Sequence, residues 1–387
     1  MSSAAPLSPG SSPLHANDFD YQLDESLIAQ RPAEPRDLSR LMVLNRGDGR
    51  MQHRIFRELP DLLIRGDLLI VNDTRVIPSR FFCRRCTGGR IEGLFLNEPQ
   101  AGRWAVLLKG AGRCRAGERL RLQRAQAAIE LYLVENLGEG RWLLDCHPPV
   151  PAAEVLASAG VMPLPPYIRR NAPAAAPADS GAEGDSEGQS CHDRHDYQTV
   201  YANRAGAAAA PTAGLHFTPA LMERLAGAGI GVAHLTLHVG LGTFLPVKAD
   251  MIGQHRMHRE WYELPGACAD AINLARREGR RVVAVGTTSV RVLETAAREQ
   301  GLAAGDNARL RPAQGWTDIF IYPPYRPAVV DALITNFHLP RSTLLMLVAA
   351  FCSPGGMSGI GMILDAYRQA VAQRYRFYSY GDAMLIE

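Results

Sequence analysis

Between Leu62 and Cys146 apolar and polar positions alternate in short runs. RIEGLFL (90–96), RWAVLLKG (103–110), ERLRLQ (118–123), AAIELYLVE (127–135) and GRWLLDC (140–146) step with a period of two, and Gly-rich or charged breaks separate them. That period puts alternate side chains on one buried face, as in a half-buried strand. Five such runs at regular spacing, with no helical period among them, predict a small antiparallel barrel or sandwich.

From Thr218 the pattern changes. TPALMERLAGAG (218–229) predicts a helix with Thr218 as cap and Pro219 at its first position. GVAHLTLHVG (231–240) follows as a buried strand. Helices over 267–279, 288–300, 342–351 and 363–377 then alternate with strands in RVVAVG (281–286) and VVDALITNF (329–337). Such alternation predicts an α/β domain on a largely parallel sheet. The segment Asp18–Arg57 precedes the all-β text and fits either domain.

Composition adds boundaries. With 387 residues the chain exceeds what one core usually organises, which favours two domains. MSSAAPLSPGSSPLHAN (1–17) has no basic n-region or apolar h-region and reads as a disordered tail. NAPAAAPADSGAEGDSEGQS (171–190) carries only acidic charges and no core-forming residue, so it reads as a flexible surface insert. The longest apolar stretch, Leu344–Cys352, falls far short of the ~20 residues of a membrane span. Seven scattered cysteines make no disulfide framework and suit a reducing cytoplasm.

A net charge of +3 is compatible with a nucleic acid partner without requiring one. Any RNA contact therefore has to be local, at arginine clusters such as Arg80 to Arg90, Arg169–Arg170 or Arg276 to Arg281. Six of eleven histidines fall in the α/β text: His216, His234, His238, His255, His258 and His338. His255 and His258 with Glu260 lack the HExxH spacing, and Cys83–Cys86 has no second pair, so no metal site is expected. His234, inside an apolar strand, reads as a core histidine.

Ligands of parallel α/β sheets bind beyond the carboxyl ends of the strands. Three loops there carry polar groups. Val285 runs into Gly286-Thr287-Thr288-Ser289 and a helix containing Arg291, a start suited to a carboxylate or phosphate. The strand LTLHV leads to Gly240-Leu241-Gly242-Thr243-Phe244, and ALITN leads to Phe337, His338 and a Pro-Arg-Ser-Thr helix start. The lone glycine of VAVGTTSVR does not support a dinucleotide fingerprint.

Eleven strings carry a family resemblance: FDYQLDESLIAQRPAEPRDLSRLMVL (19–44), GDLLIVNDTRVIPSR (66–80), MPLPPYIRR (162–170), YQTVYA (197–202), AAPTAGLHFT (209–218), LTLHVGLGTFLPV (235–247), HRMHREWYELP (255–265), VAVGTTSVRVLE (283–294), GWTDIFIYPPY (315–325), ALITNFHLPRSTLLMLVAAF (332–351) and YRFYSYGDAMLI (375–386). From Phe19 to the C-terminus the chain resembles the S-adenosylmethionine:tRNA ribosyltransferase-isomerases of queuosine biosynthesis. The resemblance implies an α/β, barrel-like main domain, discontinuous over 18–61 and 162–387, with a small all-β barrel inserted at 62–161. It also implies transfer and isomerisation of the ribosyl part of S-adenosylmethionine onto 7-aminomethyl-7-deazaguanine in tRNA, giving epoxyqueuosine, adenine and methionine. S-adenosylmethionine is then a consumed substrate and no other cofactor is expected. The tail and the 171–190 insert are longer than the family needs, and HDYQ and YPPY depart from its usual strings.

That chemistry needs a base at the carbon beside the sulfonium, help for departing adenine, and stabilisation of developing oxygen charge. The candidates for proton transfer are His216, His238, His338, Asp73, Asp318 and Asp382. Thr287, Thr288, Ser289 and Arg291 are expected to hold the methionine carboxylate, and Gly240, Gly242 and Thr243 are further expected substrate-binding residues. Phe217, Phe244 and Trp316 offer stacking faces. Arg80, Arg169 and Arg170 are the expected tRNA contacts, and the enzyme is expected to act as a cytoplasmic monomer. An S-adenosylmethionine-dependent RNA methyltransferase and a non-catalytic tRNA-binding protein are the alternatives.

Overall fold

A computed structural model describes residues 13–124, 129–170, 192–240, 249–306 and 308–387. The chain opens with β1 (Arg40–Leu44), β2 (Met51–Ile55), the one-turn helix α1 (Leu59–Leu62), β3 (Leu68–Asn72) and β4 (Thr74–Val76). Six strands follow: β5 (Arg80–Arg85), β6 (Arg90–Gln100), β7 (Arg103–Lys109), β8 (Arg119–Leu122), β9 (Glu130–Gly138) and β10 (Arg141–His147). After α2 (Ala152–Ala159) come β11 (Arg204–Ala207), α3 (Pro219–Gly227), β12 (Gly231–Leu237), β13 (Glu260–Leu264) and α4 (Gly266–Arg277). The chain ends with β14 (Val282–Val285), α5 (Thr287–Glu299), β15 (Ala313–Thr317), β16 (Ala332–Asn336), α6 (Thr343–Cys352), α7 (Gly359–Ala372) and β17 (Ala383–Ile386).

The alternating text closes into a barrel of order β10-β7-β6-β5-β8-β9. Its inward positions hold Phe81, Cys83, Trp104, Val106, Leu120, Leu131 and Leu144, and α2 packs against the same core. The sixth strand, β5, escaped the sequence pattern because Arg80, Arg84 and Arg85 mask the alternation of Phe81 and Cys83. Arg80 pairs outward with Glu92, and Arg85 with Glu118. The barrel strands start at Arg80, not near residue 62. The chain leaves and re-enters the main domain at one point, where Arg80 and Val161 exchange backbone hydrogen bonds of 3.2 and 2.8 Å.

The main domain holds a nine-stranded sheet ordered β15-β13-β12-β3-β14-β16-β17-β1-β2. β3, expected in the inserted domain, is a central strand here: all five of its residues are buried, as a strand covered on both faces requires. Leu68 and Ile70 join the core beneath α4, α5, α6 and α7, whereas Leu69 and Val71 join a second core with Phe56 and α3. The sheet is mixed. β12, β3, β14 and β16 are mutually parallel, while β13, β15 and β2 pair antiparallel and β17 runs antiparallel to β16. Direction is a property of long connections, which local periodicity does not record.

Thr218 caps α3 as expected, its hydroxyl accepting from the Leu221 N–H. The helix expected over 363–377 instead starts at Gly359 and ends at Ala372. Residues 13–17, expected in the disordered tail, are ordered: the Leu14 carbonyl accepts from Ile252 N–H at 3.1 Å, and Ala16 N–H donates to Asp250 O at 3.0 Å. The acidic insert 171–190 lies outside the described residues, as do Gly242, Thr243 and Phe244. Among the described residues no helix is long and apolar enough to cross a membrane.

Candidate active site at the strand ends

The carboxyl ends of β12, β3, β14 and β16 lie side by side along one edge of the sheet, and the start of β17 joins them there. Neighbouring strands are about 4.8 Å apart, so the row from β12 to β16 spans roughly 14 Å. Three polar clusters occupy it.

The first cluster surrounds His238, the residue after β12. Its Nδ1 lies 2.8 Å from Thr74 Oγ1 on β4, and its ring stacks on Trp261 at 5.0 Å and 22°. Gly206 makes this seat possible: a Cβ there would meet His238 Nε2 at 2.7 Å, and its φ of +153° also favours glycine. Asp73, the residue after β3, lies beside it, with Oδ1 accepting from the Thr236 hydroxyl at 2.6 Å. Burial lowers the His238 pKa, with the Asp73 charge opposing and Arg204 assisting. His238 is half-buried, and no other described residue bonds Nε2.

At the start of α5 the second cluster turns on a buried ion pair. Arg291 Nη1 donates to Glu260 Oε2, and Glu260 Oε1 accepts from Gly240 N–H at 2.7 Å. Arg291 is 2% exposed and Glu260 4%. Arg291 Nε and Nη2 and the Thr288 hydroxyl are buried without hydrogen-bond partners. A buried guanidinium with idle donors, close in sequence to the start of α5, suits an anion. Ser289 is spent, since its hydroxyl donates to Val285 O at 2.9 Å. Thr287 is buried in the first turn of α5.

The third cluster joins β16, β17 and the turn Thr212–His216. His216 lies 2.7 Å from Ser39 Oγ through Nδ1 and accepts from Asn336 Nδ2 at 3.1 Å through Nε2, with Phe56 stacked on its ring. Burial, reinforced by Arg376, lowers its pKa to about 3. Both nitrogens are committed, so His216 is a neutral strut between β16 and the approach to β1. His338 lies 2.8 Å from Thr335 Oγ1 through Nε2, and burial also lowers its pKa to about 3. Asp382 accepts from Arg40 N–H at 2.9 Å and Arg376 N–H at 2.8 Å, which pins the 376–382 turn to β1. A cleft of about 730 Å³ opens beside this cluster, lined by Tyr21, Gln30, Tyr167, Arg169, Leu339 and Tyr378 among others.

Other candidates lie apart from the row. Asp318 is exposed past the end of the edge strand β15. Trp316, on β15, is 55% exposed opposite Trp261, with the Arg259 guanidinium 5.9 Å from its ring centroid. Phe217 is no stacking face: it is fully buried against Phe56 and Tyr201. His234, read as a core histidine, is exposed, because its position on β12 faces out of the sheet. The expected RNA arginines all have acidic partners: Arg80 with Glu92, Arg169 with Glu25, and Arg170 with Asp193. Glu260 turns inward to Arg291, away from any site with His255 and His258. Among the described residues no three His, Cys, Asp or Glu side chains could hold a metal ion together.

Sequence reasoning passed over Glu260, Asn336, Tyr167 and Tyr378. Glu260 and Asn336 stand inside HRMHREWYELP and ALITNFHLP, so their strings were in view but not their partners. Tyr378 has φ +70°, a left-handed conformation that no local pattern announces.

Comparison with known proteins identifies the family. A family model described as "Queuosine biosynthesis protein" matches residues 16–386. The S-adenosylmethionine:tRNA ribosyltransferase-isomerase of Symbiobacterium thermophilum is 47% identical over 374 residues, covering 96% of this chain and 100% of the relative. The protein of the same name from Pelobacter propionicus is 49% identical over 373 residues, covering 96% and 99%. A Thermotoga maritima crystal structure titled S-adenosylmethionine tRNA ribosyltransferase superposes with TM-score 0.51 at 35% identity, covering 96% of this chain and 100% of that one. The strings that carried the resemblance supply the strand-end loops, and with these matches the chain belongs to the queuosine biosynthesis protein family.

Proposed function

We propose that the chain transfers and isomerises the ribosyl moiety of S-adenosylmethionine onto 7-aminomethyl-7-deazaguanine in tRNA, giving epoxyqueuosine and releasing adenine and methionine. The observation that carries this reading is the convergence of the family's strings on one sheet edge. LTLHVG (235–240), VAVGTTSVRVLE, ALITNFHLPRSTLLMLVAAF and YRFYSYGDAMLI all deliver polar groups there.

Roles follow from which groups are uncommitted. Arg291 and Thr288 keep idle buried donors and hold the methionine carboxylate. His238, half-buried beside Asp73, is the proton-transfer group. His216 and Asp382 hold the edge in shape, because their polar atoms are bonded within the protein. The cleft beside β16 takes the modified base, and S-adenosylmethionine is consumed. The reading places the protein in the cytoplasm, where tRNA is available, and as a monomer.

Product analysis tests the reaction class. With S-adenosylmethionine and tRNA bearing 7-aminomethyl-7-deazaguanine, free adenine and free methionine should appear in equal amounts. S-adenosylhomocysteine without adenine would show methyl transfer instead.

A further inference from the structure

A niche of about 40 Å³, lined by Asn336, adjoins the cleft of about 730 Å³. Tyr167, Leu339 and Tyr378 line both and so form the passage between them. A single water needs about 10–15 Å³ of such space, so the niche has room for roughly two or three non-hydrogen atoms. No charged side chain lines it.

A fully buried polar atom of its lining, Asn336 Oδ1, has no partner. Asn336 is 1% exposed, and its Nδ2 donates to His216 Nε2 at 3.1 Å and to Tyr378 O at 3.0 Å. Those two acceptors fix which way the amide faces, and they leave Oδ1 buried without a partner. A buried carbonyl oxygen left so is costly unless a donor arrives. The passage is also rigid. Tyr378 adopts φ +70°, which costs a non-glycine residue of order 1–3 kcal/mol and persists where surroundings impose it. Its N–H donates to Phe337 O at 3.1 Å, so β16 grips it from both sides of the peptide. The Tyr167 ring stands 4.7 Å from the Tyr378 ring, tilted by 53°.

We propose that this niche seats a primary amine on a short arm, held by an N–H donated to Asn336 Oδ1 between Tyr167 and Tyr378. Resting on the function proposed above, that amine is the aminomethyl group of the target base, and its ring fills the wider cleft. An aminomethyl arm has two non-hydrogen atoms and fits the space. A niche without a carboxylate favours the neutral amine over the ammonium. The neutral amine is the nucleophilic form, so Asn336 selects the base that carries the amine while the uncharged lining keeps its lone pair available.

The test compares two tRNAs that differ only at this arm, one bearing 7-aminomethyl-7-deazaguanine and one bearing 7-methyl-7-deazaguanine. The wild-type chain should bind the first at least tenfold more tightly. In Asn336→Leu the ratio should fall toward one, with the melting temperature recorded to show that the variant folds. Equal binding of the two tRNAs by the wild-type chain overturns the proposal whether or not the variant folds. An undiminished ratio in folded Asn336→Leu overturns it too. Adenine release, measured in the same samples, separates the two readings. Release without discrimination removes the niche alone, whereas no release removes the reaction on which it rests.

Discussion

Acid should destabilise this protein through two histidines that the fold holds neutral. The ordinary histidine pKa is 6.5, while burial sets those of His216 and His338 to about 3. Between these values the unfolded chain binds a proton that the folded chain refuses. Stability is therefore fully present above pH 6.5 and is lost as pH falls toward 3. From pH 7 to pH 5 each histidine should remove about 2 kcal/mol. Carboxylates titrate over the same range, so the informative quantity is a difference between proteins. His216→Gln keeps an amide near the position of Nε2, where Asn336 Nδ2 donates at 3.1 Å, but it cannot take up a proton. Urea unfolding of both proteins at pH 7 and pH 5 should show His216→Gln less stable at pH 7, by about 1–3 kcal/mol for a broken buried hydrogen bond. It should also lose about 2 kcal/mol less than wild type on acidification. Identical acid losses would refute the neutral, buried assignment and return His216 to the candidates for proton transfer.

Three further outcomes follow. His238→Ala should lower adenine release by about 10²–10⁴-fold, as removal of a proton-transfer group does, while tRNA affinity stays within twofold; wild-type turnover would make His238 a packing residue against Trp261. Arg291→Met removes the cation that bridges to the buried Glu260, and should cost about 3–5 kcal/mol in urea unfolding. Adding Glu260→Gln should recover part of that loss; strict additivity would deny the coupling. Affinity for tRNA should fall with salt, at a slope of about 0.7–0.9 per phosphate neutralised. Because Arg169 and Glu25 are paired in the open, Arg169→Ala should flatten the slope without loss of stability, and an unchanged slope would exclude Arg169 from the contact.

What the sequence disclosed depended on how local each feature is. The barrel was legible because one face of each strand is buried, and the alternation of Trp104, Val106 and Leu108 on β7 records it directly. β3 was misplaced because a fully buried strand has no alternation to show which sheet it joins. Its neighbours β12 and β14 come from distant sequence. The site followed the same rule. His238 after β12 and the loops after β14 and β16 could be found from residue types at strand ends. The commitment of His216 could not, since its partners Ser39 and Asn336 are 177 and 120 residues away. The idle donors of Arg291 are likewise visible only once Glu260 has taken Nη1.

The central claim is that the ribose of S-adenosylmethionine, and not its methyl group, reaches the tRNA. Supplying S-adenosylmethionine labelled with one isotope in the ribose carbons and another in the methyl group tests this in a single incubation. After digestion of the tRNA, the modified nucleoside should carry the ribose label in a five-carbon ring, and the methyl label should leave in free methionine. Methyl label in the tRNA, with the ribose label remaining on S-adenosylhomocysteine, would contradict the account.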